Sequence, residues 1–302
     1  MDSFFVYSEV NEAYTFIICI HHYSLFHLED YMKRKKWLLL LIVIPFLIFY
    51  LYDQNNTLTK SSYTVRSDKI PDSFDDFKVV HLSDLHNKSF GQNQQKLVDK
   101  VKESEPDIIV ITGDIIDERR YDEEPALTLA EEMVQLAPVY YVSGNHEMRS
   151  GKYDGLIDIG INVLTNETTL ISNNDASIQL AVIEDPSPSN AITVENNLQQ
   201  TFKEAENSQF TLLLAHRPEW FSLYREYQPD LILSGHAHGG QIRLPLIGGL
   251  VAPNQGLFPE YTSGIHEVDG SSLIVSRGLG NSLFPFRVFN RPEIVEVVLK
   301  TN

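Results

Sequence analysis

From residue 77 onward, short apolar runs alternate with longer stretches whose apolar residues recur at helical spacing. Residues 79–82, 108–111, 139–142, 212–215 and 231–233 carry few polar side chains and predict strands buried on both faces. Residues 94–103 and 126–136 between them predict helices. Strands separated by helices predict a layered α/β domain over residues 77–302. No internal repeat or low-complexity tract interrupts it.

The N-terminal part follows another pattern. Residues 37–52 carry no charge and are preceded by Lys33, Arg34, Lys35 and Lys36, the layout of a signal or anchor. The run is just short of the roughly 17 to 25 residues of a spanning helix, and flanking Met32 or Gln54 extends it. No small-x-small cleavage site follows, which predicts an uncleaved transmembrane signal anchor over 32–52 rather than a removed signal peptide. With its basic end inside, the chain is expected to be a single-pass cell-membrane protein with the rest extracytoplasmic. Residues 1–31 lack a sustained period and end just before Met32, so they are expected to be a start-site extension. The polar stretch 53–76 predicts a tether.

Composition narrows the function. A chain of 302 residues, 43% hydrophobic and 22% charged, can bury one large core. Its net charge is −17; residues 1–52 hold 4 basic and 5 acidic side chains of the 24 and 41 present, so the body is left near −16. Nucleic-acid affinity comes largely from clustered Lys and Arg, so no nucleic-acid partner is expected.

Candidate chemistry sits where the apolar runs end. Five ends read Ser83-Asp84-Leu85-His86, Thr112-Gly113-Asp114, Ser143-Gly144-Asn145-His146-Glu147, Ala215-His216-Arg217 and Ser234-Gly235-His236-Ala237-His238. An α/β sheet places its ligand loops at such ends. In extended chain, residues i and i+2 point the same way, so Asp84 with His86 and His236 with His238 each offer two donors to one side. Gly113, Gly144 and Gly235 permit sharp turns or close approach. Each motif alone has a plainer explanation, since Asp after a strand is commonly a cap or turn former. Five in one chain do not. Imidazoles mixed with carboxylates and an amide suit Zn, Mn or Fe better than Ca, and seven candidate donors exceed the four of one tetrahedral site.

This ordered set of DxH, GD, GNHE, H and GHxH resembles the calcineurin-like metallophosphoesterase superfamily over residues 78–299. The resemblance implies a four-layer α/β/β/α sandwich and a centre of two divalent metal ions. By motif position, Asp84, His86 and His238 would hold one ion, Asn145, His216 and His236 the other, and Asp114 would bridge them. His146 would be the general acid on a phosphoester substrate. Glu147 either positions the His146 ring or is a solvated turn residue.

The segment after His238 is similar to one bacterial branch of membrane-anchored or exported enzymes, including phosphodiesterases and UDP-2,3-diacylglucosamine pyrophosphatases. It contains Gly239-Gly240-Gln241-Ile242-Arg243 and Ser276-Arg277-Gly278-Leu279-Gly280. The branch implies a phosphodiester or pyrophosphate substrate, lipid-linked or nucleotide-linked. A phosphomonoesterase or a non-catalytic scaffold on the same fold are the alternatives. Arg243 and Arg277 are candidates for substrate phosphate or for ordinary ion pairs. Phe258, Tyr261, Phe284 and Phe286 are expected in the core rather than lining a substrate pocket.

Overall fold

A computed structural model describes residues 3–151, 154–186, 190–206, 208–282 and 284–302. The chain divides into two units, residues 1–52 and 53–302. The first is helical: α1 runs Ser3–Asn56, its last four residues belonging to the second unit. Residues 1 and 2 of the expected extension lie outside the described residues. Within α1, Tyr31–Asn56 is long and apolar enough to cross a membrane, an 18-residue stretch of it reaching mean hydropathy 1.9. Helical backbone continuing beyond both ends of 37–52 supplies the length that the uncharged run lacks.

In the second unit the strands are β1 (Thr59–Arg66), β2 (Lys78–Leu82), β3 (Ile108–Thr112), β4 (Val139–Val142), β5 (Asn162–Val163), β6 (Glu167–Asn173), β7 (Ala176–Ile183), β8 (Thr211–Ala215), β9 (Leu231–Ser234), β10 (Gly264–Val268), β11 (Ser271–Val275) and β12 (Glu293–Lys300). The helices are α2 (Gln95–Lys102), α3 (Glu124–Met133), α4 (Asn145–Ser150), α5 (Asp154–Ile159), α6 (Ala191–Thr201) and α7 (Phe221–Tyr224). Six strands form one sheet in the order β1-β12-β2-β3-β4-β5, and six form a second in the order β10-β11-β9-β8-β7-β6. All five strands expected from the apolar runs are present, as are α2 and α3.

Alternation along the strands fills three apolar layers. Val79, Val110 and Val142 of the first sheet face Leu180, Leu212 and Leu233 of the second. Their neighbours Val80, Ile109, Ile111 and Tyr141 point the other way, onto Leu97 and Val101 of α2 and Leu129 and Met133 of α3. Leu213, Ile232 and Leu273 turn outward beneath Val194 and Leu198 of α6 and Phe221 of α7. Helix, sheet, sheet and helix are thus stacked, as layered packing of one-sided elements requires.

Residues 53–76 are a correction to the expected tether. They close α1, form β1 and bury Ile70 and Phe74. Strand β1 pairs in parallel with β12 from Thr59↔Glu293 to Arg66↔Lys300. Its polar residues mislead because it is an edge strand, where one face stays wet.

Leu212 is fully buried between the sheets. Leu212→Ala is expected to lower stability by about 2 to 5 kcal/mol through the cavity it leaves, read as a shift of the denaturant midpoint at unchanged slope.

Candidate metal centre

Parallel strands β2, β3 and β4 of the first sheet and β8 and β9 of the second deliver all eight candidate residues to one edge. All eight are buried. Backbone bonds tie neighbouring loops together: Asp84 N donates to Gly113 O at 3.0 Å and His86 N to Asp114 O at 3.0 Å. Contacts across the two sheets meet here. His236 N donates to the Asp84 carboxylate at 3.0 Å, and His216 Nδ1 lies 2.6 Å from Thr112 O.

The paired donors converge, but not by strand geometry. Asp84, His86, Asp114, His236 and His238 all have positive φ, between 46° and 63°. The expected extended DxH and HxH segments are instead left-handed kinks, enforced by the bonds to the adjacent loop. Non-glycine residues held in that region are strained, and such strain collects at functional sites. Glycine serves close approach. A Cβ on Gly113 would stand 2.3 Å from Gly144 N, and one on Gly235 would stand 1.9 Å from Ser83 Oγ and 2.4 Å from Asp84 Oδ2.

Three donor groups result, each within 4.8 Å: Asp84, His86 and His238; His86, Asp114 and His146; Asp114, His216 and His236. His86 Nε2 faces His238 Nε2 at 3.1 Å, and His238 Nε2 lies 3.3 Å from Asp84 Oδ1. His216 Nε2 lies 3.3 Å from Asp114 Oδ2 and 3.2 Å from His236 Nδ1. The Asn145 amide is 2.9 Å from His236 Nδ1; hydrogen bonding alone would turn its nitrogen toward that ring, whereas a cation between them needs its oxygen there.

The charges fit cations. Burial holds His86 down to about 3 and lowers His146; it also holds His236 and His238 well below the usual imidazole range. Neutral imidazole is the form a metal ligand needs. Burial opposes charge on His216 as well, yet the Asp114 and Asp84 carboxylates push it up to about 10. Asp114 is in turn held well below the carboxylate range, burial being overcome by His216 and its neighbours. Burial, with repulsion from Asp114, raises Asp84 to about 7. Ring nitrogens and carboxylate oxygens thus crowd a small volume with too few protons to share, and His86 Nδ1 and His238 Nδ1 are buried without partners. Divalent cations satisfy such a donor set where hydrogen bonds do not.

Other groups support the donors. Glu147 neither touches the His146 ring nor is solvated. It is fully buried, and its carboxylate accepts from Asp114 N, Gly144 N and Ile116 N, each at 2.9 Å. His146 Nδ1 receives Glu118 N at 3.1 Å, so the neutral ring carries its proton on Nε2, the atom facing Asp114. Asp117, fully buried and held down to about 2, stands 3.4 Å from that Nδ1 and pairs with Arg119 and Arg120. Burial opposes charge on Asp117, but the two arginines overcome it. Behind His236, Asn254 Nδ2 lies 3.3 Å from Nε2, and buried Arg217 pairs with Asp185 at 2.6 Å. Asp185 follows the end of β7 by two residues, as Asp84 follows β2 and Asp114 follows β3. That spacing was a readable signal.

Arg277 takes the ion-pair reading, bonding Glu293 at 2.9 Å. Arg243 donates to Gly239 O at 2.9 Å. The expected core placement is corrected for Phe258, Phe284 and Phe286, which are exposed, whereas half-buried Tyr261 packs on the core beside Phe221 as expected. A cavity of 220 Å³ beside His238 is lined by Ala237, Val251, Ala252, Pro253 and Phe284. A second, of 510 Å³, is lined by Arg119, Arg120, Asn281 and Pro285, and the two share Ser282.

The Calcineurin-like phosphoesterase family model matches residues 77–240, which hold all eight residues. The chain belongs to this family. It is 30% identical to the uncharacterized metallophosphoesterase YkuE of Bacillus subtilis over 83% of this chain and 88% of that one. It is 28% identical to the phosphodiesterase YaeI of Escherichia coli over 74% of this chain and 82% of that one. It is 29% identical to the zebrafish (Danio rerio) transmembrane protein with metallophosphoesterase domain, over 77% of this chain and 55% of that protein. This chain is therefore a metal-dependent phosphoester hydrolase of a family that uses two divalent cations.

Gly235→Ala is expected to displace Asp84 and lower the divalent cation bound per chain, measured by elemental analysis. Unchanged content would mean that the loop yields without moving the donor.

Proposed function

We propose that the chain is a membrane-anchored phosphodiesterase or pyrophosphatase acting on an envelope-lipid or nucleotide-linked substrate. Asp84, His86 and His238 would hold one cation, Asn145, His216 and His236 the second, and Asp114 would be shared between them. The observation that carries this reading is that Asp114 lies in reach of both donor sets, 3.7 Å from His86 Nε2 and 3.3 Å from His216 Nε2. Zn, Mn or Fe suit the mixed shell. When bound, the cations supply Lewis acidity toward the phosphoryl oxygens and a water nucleophile near neutral pH.

The chain's own residues do the rest. His146 presents Nε2 to the centre; the protonated ring gives the Nε2 proton to the departing oxygen and returns to the neutral form whose Nδ1 receives Glu118 N, with the Asp117 carboxylate 3.4 Å from Nδ1. His216, tied to Thr112 O, and His236, backed by Asn254, hold their rings in place. A diester or pyrophosphate carries a substituent on each side of the reacting phosphorus. Cavities flanking Ser282, one apolar and one bearing two arginines, offer room for both. The α1 segment at Tyr31–Asn56 and the transmembrane relative support an anchor, and the basic run before it supports an extracytoplasmic body.

Comparing a bis-ester with a mono-ester of one chromogenic phenol tests the reading: faster turnover of the diester is expected, and an idle diester beside an active monoester would overturn it. His146→Ala is expected to keep both cations yet lose about 10²- to 10⁴-fold in turnover on poor leaving groups. Unchanged rates there would remove it from this role. Asp114→Ala is expected to empty at least one cation position by elemental analysis, and full occupancy would contradict bridging.

A further inference from the structure

The body is strongly acidic, yet residues 237–259 and 270–292 contain no Asp or Glu, while carrying Arg243, Arg277, Arg287 and Arg291. These two segments lie together. Arg243 pairs with Gly249 and Val251 with Leu257 in two short hairpins, and Phe258 N donates to Leu250 O at 2.9 Å, setting the hairpins side by side. Arg243 N donates to Val288 O at 2.9 Å, and Gln241 Nε2 to Phe284 O at 2.8 Å, which joins the hairpins to the second segment.

Their tips are apolar and wet. Leu246 is fully exposed, Leu257 is 71% exposed, and Ile247, Phe258, Phe284 and Phe286 are exposed as well. Exposed apolar side chains gathered on joined segments mark an interaction surface.

The same segment grips the chain where the apolar run ends. Arg291 pairs with Asp53, Asn290 N donates to Gln54 Oε1 at 3.1 Å, and Asn281 Nδ2 and Arg287 N donate to Asn55 Oδ1 at 2.9 and 3.3 Å. Asp53 follows Tyr52, the last residue of the uncharged run, directly. Phe286 is five residues from Arg291, at most about 18 Å of extended chain.

We infer that this apolar, acid-free rim docks on the lipid bilayer that the α1 segment enters; the inference rests on reading residues 32–52 as a membrane anchor. Apolar tips enter the headgroup and acyl boundary, and the two segments carry no carboxylate of their own to oppose the contact. Docking sets the cavity beside His238 toward the membrane surface.

The test uses the full chain in vesicles of phosphatidylcholine and phosphatidylglycerol, with Cys19→Ser as background. A fluorophore is placed singly at Leu41→Cys in the apolar run, Ile247→Cys or Leu257→Cys on the rim, and Leu170→Cys on edge strand β6. All are exposed positions. Brominated lipid is expected to quench Leu41, Ile247 and Leu257 labels and to spare Leu170. Quenching at Leu41 alone would overturn docking and leave the anchor standing. No quenching at Leu41 would overturn both. Rim labels untouched by bromine yet shielded from aqueous iodide would assign the face to a second copy or another protein, and overturn the lipid assignment.

Discussion

Everything at the sheet edge answers to one constraint: six candidate donor side chains and His146 are packed around Asp114 out of contact with water. Burying polar groups without enough partners costs free energy, and crowding lone pairs costs more. His86 and His238 meet nitrogen to nitrogen at 3.1 Å, and His216 and His236 at 3.2 Å. The fold must hold these rings against their own repulsion until cations arrive. Asp114 and His216 partly neutralise each other, which is why the pair is charged while the surrounding imidazoles are not.

The restraint is built from backbone. Loops from adjacent strands bond to one another before any side chain is counted, and Glu147 clips three amides that would otherwise be free to drift. Glycine lets loops pass within contact distance, and left-handed residues aim the donors inward. Behind them, three apolar layers fix the strands, so the cost of strained loops is spread over a rigid frame rather than borne locally.

Much of this was legible because metal donors sit in short motifs at strand ends, and strands buried on both faces announce themselves as unbroken apolar runs. The eight residues are brought together as their motifs suggest, although the extended geometry expected of Asp84 with His86 and His236 with His238 does not occur. What stayed hidden was non-local. Strand β1 reads as polar tether because its apolar positions alternate with wet ones and its partner, β12, lies more than two hundred residues onward. Glu147 looked ambiguous because a carboxylate accepting three backbone amides has no local signature. Arg287, fully buried among the carbonyls of Arg277, Gly280 and Asn290, has no local sequence signal that separates it from a surface cation. Phe258, Phe284 and Phe286 were placed inside by hydrophobicity alone, and only tertiary pairing of the hairpins shows them facing outward.

Charge placement gives the last constraint. A phosphoester is anionic, and a body near −16 repels it over most of its surface. The cavity beside His238 is lined from residues 237–253 and 282–284, inside the two segments without carboxylates. Repulsion elsewhere and its absence here act together, so the acidic body that argues against broad anion binding also leaves one preferred approach. Arg119 and Arg120 extend that approach from the first sheet, tied to Asp117, whose carboxylate also faces the ring of His146. Access, charge and the candidate proton donor are thereby linked through one buried aspartate that no motif contains.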